Sequence, residues 1–295
     1  MHASEFIQRM ESRGLVCDGA MGTQLMARGL KPGECGERWC LERPDDIAAV
    51  HRAYRDAGCD MVTTCTFGAT RTMLERHGLS DQIGPINAAG VHAARRGAGQ
   101  DAIVLGDVGP FGDFLEPVGT VTESELNAIF GEQMTALRDA GADGVIIETM
   151  GDPAEIAVAV RTARRLADWP VLATFAFERI ADGSFRTMMG TTVAAAMDAV
   201  REAGATVIGA NCGTNLSLAD YRVLAQELVT AARGCPVILQ PNAGSPGPGA
   251  VSSTPEQFQE FTHALLNAGV RVIGGCCGTS PAHLAVMAKV NGLRR

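Results

Sequence analysis

The sequence predicts an α/β protein that folds as a single-domain (β/α)8 barrel over residues 1–295. Three observations lead to this prediction. Eight short runs are almost continuously apolar, as expected of parallel strands that are covered on both faces. Amphipathic helical patterns separate these runs, and a length of 295 residues suits one barrel. A doubly wound parallel sheet is the alternative.

The eight apolar runs are the predicted strands, and they are rich in β-branched residues. In chain order they read GLVCDGAM from Gly14, DMVTTCTF from Asp60, AIVLGDVG from Ala102, DGVIIETM from Asp143, PVLATFAF from Pro170, ATVIGANC from Ala205, PVILQPNA from Pro236 and RVIGGCCG from Arg271. Each run is short enough to be a strand and too short to be a typical helix, which supports this assignment.

The segments between the strands carry helix signals. Four clear examples are 44–58, 122–141, 152–167 and 254–269. Several of these segments open with a Thr or Asp that can cap a helix and have a glutamate in the first turn. Strands therefore alternate with helices along the chain, which is the pattern of a (β/α)8 barrel.

Four of the helices end in Ala-Gly, and the glycines are Gly58, Gly141, Gly204 and Gly269. Glycine at this position suits the left-handed cap of a helix that turns directly into a strand. Seven residues after these glycines stand Cys65, Glu148, Asn211 and Cys276. All four are therefore predicted at the carboxyl ends of strands, which together form the mouth of the barrel, where barrel enzymes carry their chemistry.

The composition excludes several classes of protein. The net charge is −8 and the charges are interspersed, so the basic face of a nucleic-acid-binding protein is missing. The first 14 residues are polar rather than a signal peptide, and no apolar stretch reaches the roughly 18–20 residues of a membrane span. Nine cysteines in mostly apolar runs suit a reducing compartment. We therefore expect a cytoplasmic protein.

Cys212, Cys276 and Cys277 supply three thiols from two strand ends at the predicted mouth. Three protein ligands leave the fourth position of a tetrahedral Zn²⁺ ion open, which is the arrangement of catalytic zinc. Adjacent glycines allow the backbone to fold closely around an ion. The alternative is that the three cysteines are buried apolar thiols; a disulfide between sequence neighbours would be strained.

Other features of the sequence are weaker indications. Cys65 shares the strand-end position and is expected to line a cavity at the mouth. Cys35 and Cys40 flank a tryptophan, but no further Cys or His has the spacing of a second metal site. Residues 242–254 are rich in Gly, Pro and Ser and predict a long loop at the mouth.

Seven segments in order along the chain together resemble the homocysteine S-methyltransferase family. They are CDGAMGTQL from Cys17, TTCTFGATRTML from Thr63, VLGDVGPFGDFLEP from Val104, DGVIIETMGDPAE from Asp143, GANCGTN from Gly209, PNAG from Pro241 and VIGGCCGTSPAHL from Val272. Within the family the chain is most similar to the homocysteine module of cobalamin-dependent methionine synthase. Thr149 stands where the betaine-using enzymes have a tyrosine, which argues against betaine as the donor.

The resemblance implies roles for residues at the matching positions. Cys212, Cys276 and Cys277 would hold Zn²⁺, with the homocysteine thiol as the fourth ligand. Glu148 would bind the substrate ammonium group. The remaining predicted substrate-binding residues are Asp18, Gly19 and Ala20 after the first strand, Asn211, and Asn242, which is also a candidate displaceable zinc ligand.

The predicted activity is zinc-dependent transfer of a methyl group to homocysteine, which forms methionine. The chain is too short to include corrinoid or folate modules beside the barrel. The preferred hypothesis is therefore the homocysteine component of a split methionine synthase, with methylcobalamin carried on a partner protein. The alternatives are a self-sufficient enzyme that uses S-methylmethionine, S-adenosylmethionine or betaine, and a non-catalytic zinc or thiol sensor.

Overall fold

The computed structural model, which describes residues 1–244 and 252–292, contains eight parallel strands that surround a common axis. Each of the eight apolar runs includes one of these strands, and a separate two-stranded antiparallel hairpin follows the fifth. The strands are β1 (Leu15–Val16), β2 (Met61–Thr63), β3 (Ile103–Val108), β4 (Gly144–Met150), β5 (Val171–Phe175), the hairpin strands β6 (Glu178–Arg179) and β7 (Phe185–Arg186), β8 (Val207–Asn211), β9 (Val237–Gln240) and β10 (Val272–Ile273).

Helices cover the outside of the strands and connect them. In the described part of the chain they are α1 (Ala3–Arg13), α2 (Gly22–Met26), α3 (Trp39–Glu42), α4 (Pro44–Asp56), α5 (Arg71–Glu75), α6 (Ile83–Ala98), α7 (Glu123–Asp139), α8 (Pro153–Leu166), α9 (Val193–Ala203), α10 (Leu218–Ala231), α11 (Pro255–Ala268) and α12 (Pro281–Gly292). The four predicted helices are confirmed as α4, α7, α8 and α11. Capping boxes at Thr122 and Thr254 start two of them.

The glycines of the four Ala-Gly pairs all have positive φ, from 92° to 105°. A left-handed residue ends each helix and allows the chain to reach the next strand three residues later. The seven-residue count to the mouth is therefore the same in all four units.

The eight strands follow the order β1, β10, β9, β8, β5, β4, β3, β2, with parallel pairing throughout. The first and last strands of this order meet through Asp60. Its N–H donates to the Val16 carbonyl at 2.8 Å, and its carboxylate accepts from the Val16 N–H at 2.9 Å. These contacts close the sheet, and the predicted (β/α)8 barrel is confirmed.

The barrel interior is apolar at one end and polar at the other. The apolar end includes Leu15, Met61, Leu105, Ile146, Leu172, Val207, Ile238 and Val272, all fully buried. Because every second residue of a strand points to the same face, the residue two positions later on five of these strands also faces the interior. Those residues are the polar ones Thr63, Asp107, Glu148, Thr174 and Gln240. The structure thus places polar side chains below the mouth.

The N-terminal helix α1 closes the apolar end of the barrel. Phe6 and Met10 lie one turn apart on the helix and are buried against the apolar interior. Phe6 and Met10 are the only buried residues of this helix. The sequence analysis therefore identified the segment only as polar. The hairpin of β6 and β7 was also not predicted. No helix in the described ranges is both long and apolar enough to cross a membrane.

A fully buried histidine on α4 provides a test of the packing between α4 and α6. No hydrogen-bond partner is present for either ring nitrogen of His51 among the described residues, and burial lowers its pKa from 6.5 to about 4. The unfolded chain therefore binds more protons than the folded protein between these pH values, so His51 reduces stability as the pH falls from 6.5 towards 4.

We expect His51→Leu to gain about 1 kcal/mol of unfolding free energy relative to the wild type when the pH is lowered from 7 to 5.5. Urea unfolding at the two pH values measures this change. His92→Leu, at an exposed position on α6, is the control for loss of a histidine as such. A stability difference between His51→Leu and wild type that stays constant with pH would contradict a neutral buried His51.

Candidate metal centre and active site

The sulfur atoms of Cys212, Cys276 and Cys277 form a compact cluster at the mouth. All three lie within 4.8 Å of one another, and the sulfurs of Cys212 and Cys277 are 3.9 Å apart. In a tetrahedral site with Zn–S bonds of about 2.3 Å, two sulfurs are separated by roughly 3.8 Å. The spacing and the chemistry of these donors therefore fit a zinc ion with three thiolate ligands.

The loops after β8 and β10 carry the three cysteines, and the loop after β9 lies between them. Cys212 directly follows β8 and has φ of 53°, which turns the chain away from the strand. The Cys276 N–H donates to the Pro241 carbonyl at 2.9 Å, and the Ala243 N–H donates to the Cys277 carbonyl at 2.9 Å. The loop after β10 is thus joined to the loop after β9.

A glycine is required where these loops touch. Gly278 has φ of 77°, and a Cβ atom there would lie 2.3 Å from the Gly244 carbonyl oxygen. Such a contact would separate the two loops, so the glycine that follows the cysteine pair fixes their spacing.

The three sulfurs stabilise negative charge among themselves. Hydrogen bonds from the thiols of Cys276 and Cys277 lower the pKa of Cys212 to about 3, with further help from the Asn242 amide. The contact with Cys212 raises the pKa of Cys277 to about 11, and the contacts with Cys212 and Cys277 raise the pKa of Cys276 well above its usual value. A thiolate is therefore favoured at Cys212, as expected for a set of metal ligands.

Asn242 lies against the outer side of the cluster. Its amide nitrogen donates to the Gly213 carbonyl at 3.1 Å and lies 3.7 Å from the Cys212 sulfur. Its side-chain oxygen is buried and has no hydrogen-bond partner in the part of the chain that the structure describes. The Tyr221 hydroxyl donates to the Cys212 carbonyl and accepts from the Asn242 N–H. A buried oxygen without a partner, on a side chain that contacts the Cys212 sulfur, further fits a cation.

The cysteine cluster forms one wall of a cavity of about 420 Å³ at the mouth. Gly19, Ala20 and Glu148 line it together with Cys65, which confirms the expectation for that cysteine. None of the described residues that line the cavity is a lysine or an arginine, and Phe67 is the only aromatic one among them. The cavity is thus rich in acidic and sulfur-containing groups and poor in positive charge.

Glu148 lies near the end of β4 and faces the cavity. Burial, together with the negative charges of Asp18 and Cys212, raises its pKa to about 8. No hydrogen-bond donor contacts its carboxylate among the described residues. The group is therefore arranged to accept a cationic partner that enters the cavity.

Asp18 is placed differently from Gly19 and Ala20, the next two residues of the chain. Its carboxylate accepts from the Thr63 N–H at 3.0 Å and from the Thr63 hydroxyl at 3.2 Å, and it does not line the cavity. Burial raises its pKa to about 7 against these hydrogen bonds. The carboxylate thus joins β1 to β2, whereas Gly19 and Ala20 do line the cavity. The substrate contact of Asp18 stays a prediction.

Asn211 is also buried and does not line the cavity. Its side-chain oxygen accepts from the Thr149 N–H and the Thr174 hydroxyl, both at 2.8 Å. Its side-chain nitrogen donates to the Thr149 hydroxyl at 2.7 Å and lies 3.8 Å from the Cys276 sulfur. In the structure Asn211 therefore positions Thr149, next to Glu148, and contacts a cysteine; a direct contact with substrate stays a prediction.

Asp107 and Gln240 are among the polar residues lining the cavity that the sequence analysis missed. Both point into the interior two positions after a buried apolar residue of the same strand, and this alternation was the signal that could have identified them. Residues 245–251 of the predicted loop at the mouth lie outside the described residues. Within the described ranges, Cys35 and Cys40 do not belong to a metal-binding group.

Comparisons with known proteins agree with this arrangement. Residues 15–291 match the family model described as "Homocysteine S-methyltransferase". The chain is 32% identical over 316 residues to the methionine synthase of Mycobacterium tuberculosis H37Rv. This alignment covers 100% of the chain and 26% of that protein. It is 33% identical over 305 residues to the methionine synthase of Mycobacterium leprae, and this alignment covers 97% of the chain and 25% of that protein. The chain thus spans about a quarter of the length of these relatives.

A solved structure is similar along almost its whole length. The metallated form of the homocysteine methyltransferase MmuM from Escherichia coli superposes with a TM-score of 0.78 at 25% sequence identity. The superposition covers 94% of this chain and 96% of MmuM. Because the family model spans nearly all of the barrel, the chain belongs to the homocysteine S-methyltransferase family.

Proposed function

We propose that this protein transfers a methyl group to the sulfur of homocysteine, as the homocysteine component of a split corrinoid-dependent methionine synthase. The observation that carries the proposal is the cluster of three sulfurs within 4.8 Å in the wall of a cavity that also contains Glu148. Cys212, Cys276 and Cys277 would hold Zn²⁺. The chemistry that zinc supplies when bound is a lower pKa for a coordinated thiol, which makes it a thiolate at neutral pH.

The residues of the chain would bind and orient homocysteine. Glu148 would attract its ammonium group, and the main chain at Gly19 and Ala20, which also lines the cavity, would help to fix the amino-acid end of the substrate. The sulfur attacks the methyl carbon, a carbon–sulfur bond forms, and the bond from methyl to its carrier breaks. The thiol proton is released to solvent, and Asn242 would be a further, displaceable ligand of the metal when no substrate is bound.

Two observations support methylcobalamin on a partner protein as the donor. The relatives from both mycobacteria are named methionine synthase and are about four times as long as this chain. A quaternary ammonium donor is usually held by several aromatic rings, yet Phe67 is the only aromatic residue among the described lining residues, and Thr149 is not aromatic. The corrinoid would then approach the mouth from outside.

A self-sufficient methyltransferase is the second candidate. It is favoured by the similarity to MmuM, which is named a homocysteine methyltransferase and matches this chain over nearly its full length. Its donor would be S-methylmethionine, S-adenosylmethionine or betaine. A zinc or thiol sensor is less well supported, because a sensor does not require an acidic cavity beside the sulfurs.

The assignment of residues 1–295 to one functional domain stays a prediction.

An assay with four donors tests the proposal. We expect zinc-loaded protein to form methionine from homocysteine with free methylcobalamin, and not with S-methylmethionine, betaine or S-adenosylmethionine. Mass spectrometry of the product measures this directly. Turnover with one of the last three donors instead would establish the self-sufficient enzyme, and no turnover with any donor despite bound zinc would favour the sensor.

A further inference from the structure

Five carboxylates lie in or beside the cavity, and three of them are already engaged. Glu34 accepts from the Lys31 N–H at 2.9 Å. Asp18 accepts two hydrogen bonds from Thr63. Glu37 accepts from the Gly68 N–H at 2.7 Å and from the Cys35 thiol at 3.3 Å. Neither Asp107 nor Glu148 receives a hydrogen bond on its carboxylate from the residues that the structure describes. These two groups are therefore the ones left to bind a ligand.

Asp107 is almost completely buried, with 6% of its surface exposed. Its Oδ1 atom is buried and has no hydrogen-bond partner among the described residues, although the residue lines the cavity. A buried carboxylate oxygen without a donor is costly in a folded protein. Its retention at this point of the cavity indicates that a ligand supplies the missing donor.

The backbone of Asp107 is held firmly. Its N–H donates to the Thr64 hydroxyl at 2.9 Å, and its carbonyl accepts from the Thr66 hydroxyl at 2.8 Å and from the Gln133 amide at 3.3 Å. Three side chains from two other elements thus fix the direction from which the carboxylate enters the cavity. Such support is typical of a residue that binds substrate rather than one that only fills space.

The pairing of β3 with β4 brings Asp107 close to Glu148. Asp107 lies directly opposite Ile146, and Glu148 is two residues further along β4 on the same face. From the usual spacing of strands and residues, their Cα atoms are about 8 Å apart. Two carboxylates at this separation can contact one small cation that lies between them.

We propose that Asp107 is a second ammonium-binding residue, which together with Glu148 holds the α-amino group of the homocysteine substrate. This inference rests on the proposed function and extends it, because it explains why the site would select an amino acid rather than any small thiol. A tetrahedral ammonium group has three donors. One carboxylate would leave part of that hydrogen-bonding capacity unused. The described lining residues include no lysine or arginine, so no positively charged side chain in the lining competes for the two carboxylates.

The electrostatics of the cavity support this assignment. Burial raises the pKa of Asp107 well above its usual value, and the negative charges of Glu148, Asp18 and Glu37 raise it further. An ammonium ion between Asp107 and Glu148 would relieve this repulsion and favour the ionised form of both carboxylates. The substrate thus supplies a positive charge that the chain itself does not provide there.

Binding of two ligands to zinc-loaded protein tests the proposal. One ligand is L-homocysteine, and the other is 4-sulfanylbutanoate, which keeps the thiol and the carboxylate but lacks the ammonium group. We expect Asp107→Asn to weaken homocysteine binding by about tenfold and to leave the affinity for 4-sulfanylbutanoate almost unchanged. Isothermal titration calorimetry measures both affinities. Asp101→Asn, at an exposed position just before the other end of β3, is the matched control.

The outcomes are distinguishable. An equal loss of affinity for both ligands would mean that Asp107 supports the cavity without contacting the ammonium group, and an unchanged affinity for homocysteine would remove Asp107 from the site. Either result overturns the inference while leaving the proposed function intact. If the wild type bound no homocysteine although zinc was present, the proposed function itself would be wrong, and the inference with it. Should Asp107→Asn not fold, Asp107→Ser makes the same comparison.

Discussion

Replacement of Cys277 by alanine is expected to release the bound zinc and to reduce methyl transfer to homocysteine by more than about 100-fold. Loss of a residue that only supports a metal ligand already costs 10- to 100-fold, and Cys277 is itself one of the three predicted ligands. The barrel should stay folded, because Cys277 lies beyond the end of β10 and outside the buried core. Zinc content, circular dichroism and the methionine assay together measure this result.

Cys235→Ala is the matched control for this experiment. Cys235 is also a partly buried free thiol, but it precedes β9 at the opposite end of the barrel, where its sulfur lies 3.8 Å from the Thr206 carbonyl. We expect this variant to keep both zinc and activity. A Cys277→Ala protein that retained one equivalent of zinc and full activity would eliminate the proposed metal centre.

Replacement of Glu148 by glutamine should weaken homocysteine binding by about 100-fold, because a buried ammonium group that loses a charged partner is poorly compensated. The effect should appear mainly in KM, since in the proposed function Glu148 would contact the end of the substrate that does not react. Glu75→Gln, at an exposed position on α5, is the control. If Glu148→Gln lowered kcat alone, with an unchanged affinity for homocysteine, Glu148 would not be the ammonium-binding group.

Most of the barrel could be predicted because strand and helix positions depend on local pattern. The same three-residue connection follows Gly58, Gly141, Gly204 and Gly269, so one count located four strand ends. The seven-residue count failed to locate Asp107 because the connection before β3 has a different length. The turn from Gly99 into β3 is one residue longer, and seven residues after Gly99 stands Gly106 rather than the acidic residue.

The contacts of the polar residues could not be predicted in the same way. The sequence marks Asp18 and Asn211 as polar groups at strand ends, but their hydrogen bonds depend on which strand lies beside them. Asp18 faces Thr63 because β1 meets β2, and Asn211 reaches Thr149 past β5, which lies between β8 and β4. The role of α1 was missed because only the closed barrel creates the apolar opening that Phe6 and Met10 fill.

The division of the barrel interior into an apolar end and a polar end has a consequence for protein engineering. The apolar side chains that fill the barrel interior are grouped around Phe6 and Met10, and the polar residues of the mouth lie outside this group. Substrate preference can therefore be altered by exchanging residues at the carboxyl ends of the strands without redesigning the core. The same chain offers a framework on which other thiol substrates could be selected by directed evolution.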